Sequence, residues 1–241
     1  MAKTKLDIPG TDEIILDAVR NIESKDPEKL QASYIEKNFS EICELIFYEA
    51  KKIYINYEKK VLDGLHKPLL NNDKQTFTRD EVNSLLKQST HNAASFEKSL
   101  RQGRSSRAGK AFESIVMLLF DKIGIPNEHI TREDKKTDLR RIDIVVPDRK
   151  TAAEDPFNAQ FLSLKTSLKD RWKLVSEDRM EGQRTHLLTL LQNEKLSNQV
   201  AEKLEAKKIL LYIPDKVKEE QFPNKEWIKK LSDLPSILKK A

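Results

Sequence analysis

Between Lys208 and Pro214 the chain reads Ile-Leu-Leu-Tyr-Ile with no polar break. Five apolar residues closed off by a proline suit a strand buried on both faces, and such a strand requires a sheet with helices on each side of it. Two further segments read as strands. In Arg140–Val146, Ile142, Ile144 and Val146 alternate with Asp143 and Val145, so the acid lies on the face opposite the isoleucines. In Gln160–Lys165, Phe161 and Ser163 share a face with Lys165. Strands alternate with helical patterns after residue 100, so the expected class is α/β (α+β), with a mixed central sheet flanked by helices.

The first hundred residues read as helix throughout. Thr11 is expected to cap a helix whose Ile14, Ile15, Ala18, Val19 and Ile22 form one apolar face, and Asp26-Pro27 opens a second helix. A long periodic segment starts at Ser40 and is expected to stop at Gly64, followed by a loop from Leu65 to Gln75. Thr78-Arg-Asp-Glu81 has the form in which a hydroxyl and a carboxylate satisfy each other's orphan amides, so a helix starts there. Arg104–Lys110, rich in glycine, serine and cations, reads as a loop leading into a helix over about Ala108–Ile123. That loop and the positive end of the helix would favour a phosphate. Glu113 borders the apolar stripe of that helix; a carboxylate there either reaches out to water or points into a site, and the pattern alone favours water. Gly182–Ala206 reads as two amphipathic helices, the first carrying Leu187, Leu188, Leu190 and Leu191, and a last helix is expected near Lys225–Leu231.

Among the 241 residues, 44 cations against 39 acids give a net charge of +5, which permits a polyanionic partner without requiring one. Five of those cations (Lys98, Arg101, Arg104, Arg107 and Lys110) face a single acid, Glu97, between Phe96 and Lys110. A lone cysteine, Cys43, excludes an internal disulfide and a multi-cysteine zinc site. His66, His91, His129 and His186 are scattered without ligand spacing and read as ordinary surface or core residues. No run is long enough to cross a bilayer, and the first twenty residues lack the apolar core of a signal peptide, so a cytoplasmic location with no membrane partner is expected.

The chemistry concentrates around Lys165. Four residues beyond it stands Lys169-Asp170-Arg171, and twenty-two before it Asp143. Arginine and lysine donate to guanine O6 and N7, and a carboxylate accepts from cytosine N4, so a cation-acid-cation triplet is matched to neighbouring G·C pairs. Asp143 and an acid near residue 178 supply oxygen ligands suited to Mg²⁺, while a lysine beside them orients an attacking water and offsets charge on a phosphate.

Lys165-Thr-Ser-Leu-Lys-Asp-Arg-Trp-Lys-Leu-Val-Ser-Glu-Asp178, with Arg107-Ala-Gly-Lys-Ala-Phe-Glu113 and Arg141-Ile-Asp143 before it, resembles the type II restriction endonucleases of the EcoRII, PspGI and NgoMIV branch of the PD-(D/E)XK nucleases. The likeness spans about residues 104–180. It implies a restriction-endonuclease-like catalytic core over 101–241; the helical region over 1–100 before it holds no catalytic constellation and reads as a region for DNA contact, dimerisation or bracing. It implies Asp143, Lys165, Glu113 and Asp178 as catalytic residues, with Asp143, Asp178, Glu177 and Leu164 at the Mg²⁺. Glu181 is a further candidate for the last acid, and the literal Pro147-Asp148 lies past the strand. Lys169, Asp170 and Arg171 then read a CC/GG dinucleotide; Arg104, Arg107 and Lys110 are expected from their charge to hold the backbone. The implied activity is Mg²⁺-dependent cleavage of double-stranded DNA at a short palindrome of CCGG, CCNGG or CCWGG type by a homodimer, with a cognate methyltransferase that shares the site but need not bind. The same branch sometimes extrudes a central base pair, for which Phe47, Tyr48, Tyr54 and Tyr57 are candidates. Two other readings use the same residues differently: a structure-specific repair or junction nuclease, and a basic DNA-binding protein without catalysis.

Overall fold

A computed structural model describes residues 8–70, 76–131, 142–168, 184–191 and 197–240. The helices are α1 (Thr11–Lys25), α2 (Ala32–Lys37), α3 (Phe39–Leu70), α4 (Arg79–Lys122), α5 (Arg149–Glu154), α6 (Asn198–Ala206), α7 (Asp215–Gln221) and α8 (Leu234–Leu238). The strands are β1 (Glu128–His129), β2 (Ile144–Val146), β3 (Gln160–Lys165), β4 (Arg184–Thr189), β5 (Leu210–Ile213) and β6 (Ile228–Lys230). They form one sheet in the order β1-β2-β3-β4-β5-β6. β1 pairs antiparallel with β2 and β2 antiparallel with β3, whereas β3 to β6 run parallel.

The two faces of the sheet bury different partners. Ile144, Leu162, Leu164, Leu188 and Tyr212 lie in one apolar cluster with Phe112, Ile115 and Leu119 of α4 and with residues of α1 and α3. Each such side chain, wholly withdrawn from water, contributes about 1.5–3 kcal/mol. Phe39 of α3 stacks on Phe120 of α4 with ring centroids 5.6 Å apart. Leu187, Leu211, Ile213 and Ile228 face the other way, into a cluster with Ala201 and Leu204 of α6, while Val145 and Phe161 pack on Ala152 of α5. No described helix is long and apolar enough to cross a membrane.

The continuous strand expected at Lys208–Pro214 is β5, and β3 has the expected bounds. The Thr78 start is also realised: its hydroxyl accepts the Glu81 amide at 3.3 Å and Glu81 accepts the Thr78 amide at 2.9 Å. Other expectations need correction. α3 passes Gly64 and Pro68 and ends at Leu70, because one glycine costs a helix only about 1 kcal/mol, and Pro68 forfeits a single bond near the end. Arg104–Lys110 is no loop but the middle of α4, so its amides are bonded within the helix and present no N-terminus to an anion. The boundary drawn at residue 100 falls inside the same helix. Arg184–Thr189 is a strand, its leucines divided between the two faces of the sheet, and Ile228–Lys230 is an edge strand where a helix was expected. Gly10, with no side-chain cap, precedes α1, and Thr11 is its first residue.

Candidate active site

Asp143 occupies the position just before β2, and both sides of its backbone are tied down. Its amide donates to the Leu162 carbonyl at 2.9 Å, and its carbonyl accepts the Ile130 amide at 3.0 Å. The side chain is therefore held toward the end of β3. There Asp143 Oδ2 accepts the Leu164 amide at 2.8 Å and the Lys165 ammonium at 2.7 Å. Lys165 Nζ also donates to the Leu164 carbonyl at 2.9 Å. The Asp143 side chain is 6% exposed and that of Lys165 18%, so the pair meets water only from the lysine's side.

An ammonium seated between a carboxylate and a carbonyl marks a place where positive charge is attracted by hard oxygens. Mg²⁺ asks for the same donors. One position before Leu164, Ser163 is fully buried and its Oγ has no hydrogen-bond partner among the described residues. The donor chemistry of Asp143 and Leu164 thus fits a hard divalent cation. Among the described residues no group of three or more His, Cys, Asp or Glu stands ready for a metal. Asp178, Glu177 and Glu181 lie outside the described residues, as do Lys169, Asp170 and Arg171.

Glu113, expected as the additional acid, sits on α4 with its side chain 18% exposed and its Oε2 3.0 Å from His129 Nε2. His129 is paired in register with Ile144, the residue after Asp143. Asp148, the acid of the literal Pro-Asp pair, caps α5 by accepting the Thr151 amide at 2.7 Å. That bond holds its carboxyl below the usual range.

The cations of α4 are engaged differently from one another. Arg104 grips Glu58 of α3 with two nitrogens, Arg107 donates to the Pro9 carbonyl at 3.2 Å and lies 5.0 Å from the Tyr54 ring centroid, and Lys110 is exposed. Of the aromatic candidates, Phe47 is core, Tyr48 is exposed, and Tyr54 lines a cleft of about 620 Å³ between α1, α3 and α4. The amine of Lys60 lies 5.4 Å from the Tyr57 ring centroid. Burial, aided by Glu58, pushes the Tyr54 hydroxyl up to about 12. Glu58 and His129 escaped sequence reasoning. Glu58 stands in Tyr-Glu-Lys-Lys, which reads as a solvated face, and no local spacing links it to Arg104.

The family model described as EcoRII C terminal matches residues 72–233, about two thirds of the chain. The chain belongs to the EcoRII C-terminal family. Within the reach of that family, it is 37% identical over 82 residues to the type II restriction enzyme SsoII of Shigella sonnei, a stretch that is 32% of this chain. It spans only 27% of that relative's length. Among solved structures, metal-depleted Ecl18kI in complex with uncleaved, modified DNA is similar with a TM-score of 0.80 at 20% identity, covering 96% of this chain and 78% of that one. The PspGI–substrate DNA complex is similar with a TM-score of 0.69 at 21% identity, covering 97% and 93%. Such identities speak to the fold. This EcoRII C-terminal family member has the restriction-endonuclease-like mixed sheet flanked by helices.

Proposed function

We propose that this protein is a type II site-specific deoxyribonuclease that hydrolyses both strands of DNA at a short palindrome containing CC/GG, of CCGG, CCNGG or CCWGG type, with Mg²⁺. The observation that carries the reading is the junction of Asp143, Leu164 and Lys165, where strands β2 and β3 bring a carboxylate, a carbonyl and an ammonium within hydrogen-bond distance. Family membership and the likeness of fold to enzymes solved with DNA support it.

Asp143 and the Leu164 carbonyl would hold the cation, with Asp178 or Glu177 completing the protein's share. When bound, Mg²⁺ supplies a Lewis acid for the phosphoryl oxygen and lowers the pKa of an attacking water. Lys165 Nζ, placed beside those oxygens, hydrogen-bonds the attacking water and offsets the charge that grows on the phosphate. Glu113 is the additional acid from α4. Lys169, Asp170 and Arg171 read the G·C pairs in the major groove, and Arg104, Arg107 and Lys110 meet the backbone. A palindrome is matched by two-fold symmetry, so the working unit is a homodimer whose subunits cut one strand each. A methyltransferase protecting the same site shares its sequence and need not touch this protein.

The test is incubation with plasmid DNA and Mg²⁺ followed by sequencing of the fragment ends. Discrete ends at one CC/GG-containing sequence are expected. Asp143→Ala and Lys165→Ala should abolish cutting while retaining binding to that sequence; binding lost by both, or cutting kept by either, refutes the assignment.

A further inference from the structure

Glu58 of α3 is almost wholly withdrawn from water, with 3% of its side chain exposed. A carboxylate in that position is tolerated only when its charge is matched and its lone pairs are used. Arg104 of α4, 46 residues further along the chain, does both. Its Nε lies 3.0 Å from each carboxylate oxygen and its Nη2 2.7 Å from Oε2. Tyr54, one turn before Glu58, lies beside this pair and carries the Arg107 guanidinium over its ring. One buried acid therefore fixes Arg104, and Arg107 is seated a turn away on α4 by the Tyr54 ring and the Pro9 carbonyl. Both line the cleft of about 620 Å³, which also reaches Thr166 and Ser167, the residues that follow Lys165.

The grip on Glu58 uses the Nε and Nη2 edge of Arg104, and the Arg104 side chain is still 52% exposed. The Nη1 edge has no partner among the described residues. An arginine anchored on one edge and open on the other has already lost the rotamer freedom that a surface arginine gives up on binding. We infer that Glu58 is a positioning residue for DNA binding, holding Arg104 ready for a backbone phosphate of the strand that runs toward Lys165. This inference rests on the nuclease reading above. It also makes a demand that a merely basic surface does not. Glu58 cancels the charge of Arg104 at a distance, so simple electrostatics has its removal strengthen DNA binding, whereas positioning has it weaken binding.

The experiment is a binding titration of the full chain with duplexes carrying a CCGG or a CCNGG site, followed by fluorescence anisotropy at several salt concentrations without Mg²⁺. Glu58→Gln keeps the shape and removes the charge. It is expected to weaken binding about tenfold, the size of one lost charge-assisted contact, and to lower the slope of log K against log salt by about 0.9, one phosphate contact. The double variant Glu58→Gln/Arg104→Ala should bind no worse than Arg104→Ala alone. Arg104→Lys keeps the charge on the exposed side and loses the fork; it should match Arg104→Ala, which keeps the inference testable if the Glu58 variant does not fold. Binding by Glu58→Gln as tight as wild type or tighter, an unchanged salt slope, or additive losses in the double variant overturn it. Wild-type protein that binds no duplex overturns the nuclease reading and this inference with it.

Discussion

Replacing Lys165 by methionine keeps the length of the side chain and removes its charge. The ammonium 2.7 Å from Asp143 Oδ2 disappears, leaving a carboxylate that is 6% exposed beside the neutral Leu164 amide. Breaking a buried pair in this way costs about 3–5 kcal/mol. The low end applies, because Lys165 is itself 18% exposed and water enters from its side. About 3 kcal/mol corresponds to a fall in Tm of roughly 6–12 °C for a chain of this size. Asp143→Asn leaves an ammonium that still reaches water and two neutral oxygens, and should cost about 1–2 kcal/mol. The double variant should lose less than the sum, with a coupling of about 1 kcal/mol or more. A divalent cation should repair the single lysine variant preferentially, since it restores positive charge beside the stranded carboxylate. At ten times its Kd it returns about 1.4 kcal/mol. Urea unfolding with and without Mg²⁺ measures all four quantities. A Lys165→Met protein as stable as wild type, additive with Asp143→Asn and indifferent to Mg²⁺, would refute the view that this pair is a compensated charge at a cation site.

Two further outcomes follow from the same structure. Glu128, which accepts the Arg149 amide at 3.0 Å, and Asp148, which caps α5 at Thr151, both have carboxyls held below the usual range by those backbone bonds. Their stabilisation is complete above about pH 4.3 and is lost as the pH falls through the lower folded values; Asp148→Asn, which keeps the cap, should remove that residue's share of the acid sensitivity in thermal melts between pH 5 and 2. His186, 1% exposed, bridges the Tyr212 hydroxyl at 3.0 Å and the Gln160 side-chain oxygen Oε1 at 2.9 Å, so His186→Leu strands two buried polar groups and should cost about 2–4 kcal/mol in urea unfolding, a loss under about 1 kcal/mol contradicting the role.

How far the sequence discloses this architecture depends on whether a signal is local. β5 and β3 were legible because an unbroken apolar run and a two-residue alternation each carry their own meaning. β4 was not, because Leu187, Leu188, Leu190 and Leu191 have spacings a helix would also use, and only the neighbouring strands decide between them. The glycines at 64 and 109 suggested breaks where the helices continue, since one glycine weakens a helix without ending it. The approach of Asp143 to Lys165 was visible through two strand patterns and a family likeness. Glu58 and Arg104 meet across 46 residues, His129 and Glu113 across 16, and neither pairing leaves a trace in local periodicity.

The change of direction within the sheet has a consequence of its own. β3 is paired antiparallel on one side and parallel on the other, so Lys165 at its C-terminal end lies level with Thr189 at the end of β4 and three residues past Leu162, the partner of Ile144 at the start of β2. β5 ends toward the same rim. Thr166 and Ser167, which leave β3 at that rim, lie outside the strand ladder, whereas Leu168 just beyond them is buried in the cluster with Ala201 and Leu204 of α6. A substitution at Ser167 thereby leaves the ladder untouched, while one at Leu168 reaches the core of that cluster.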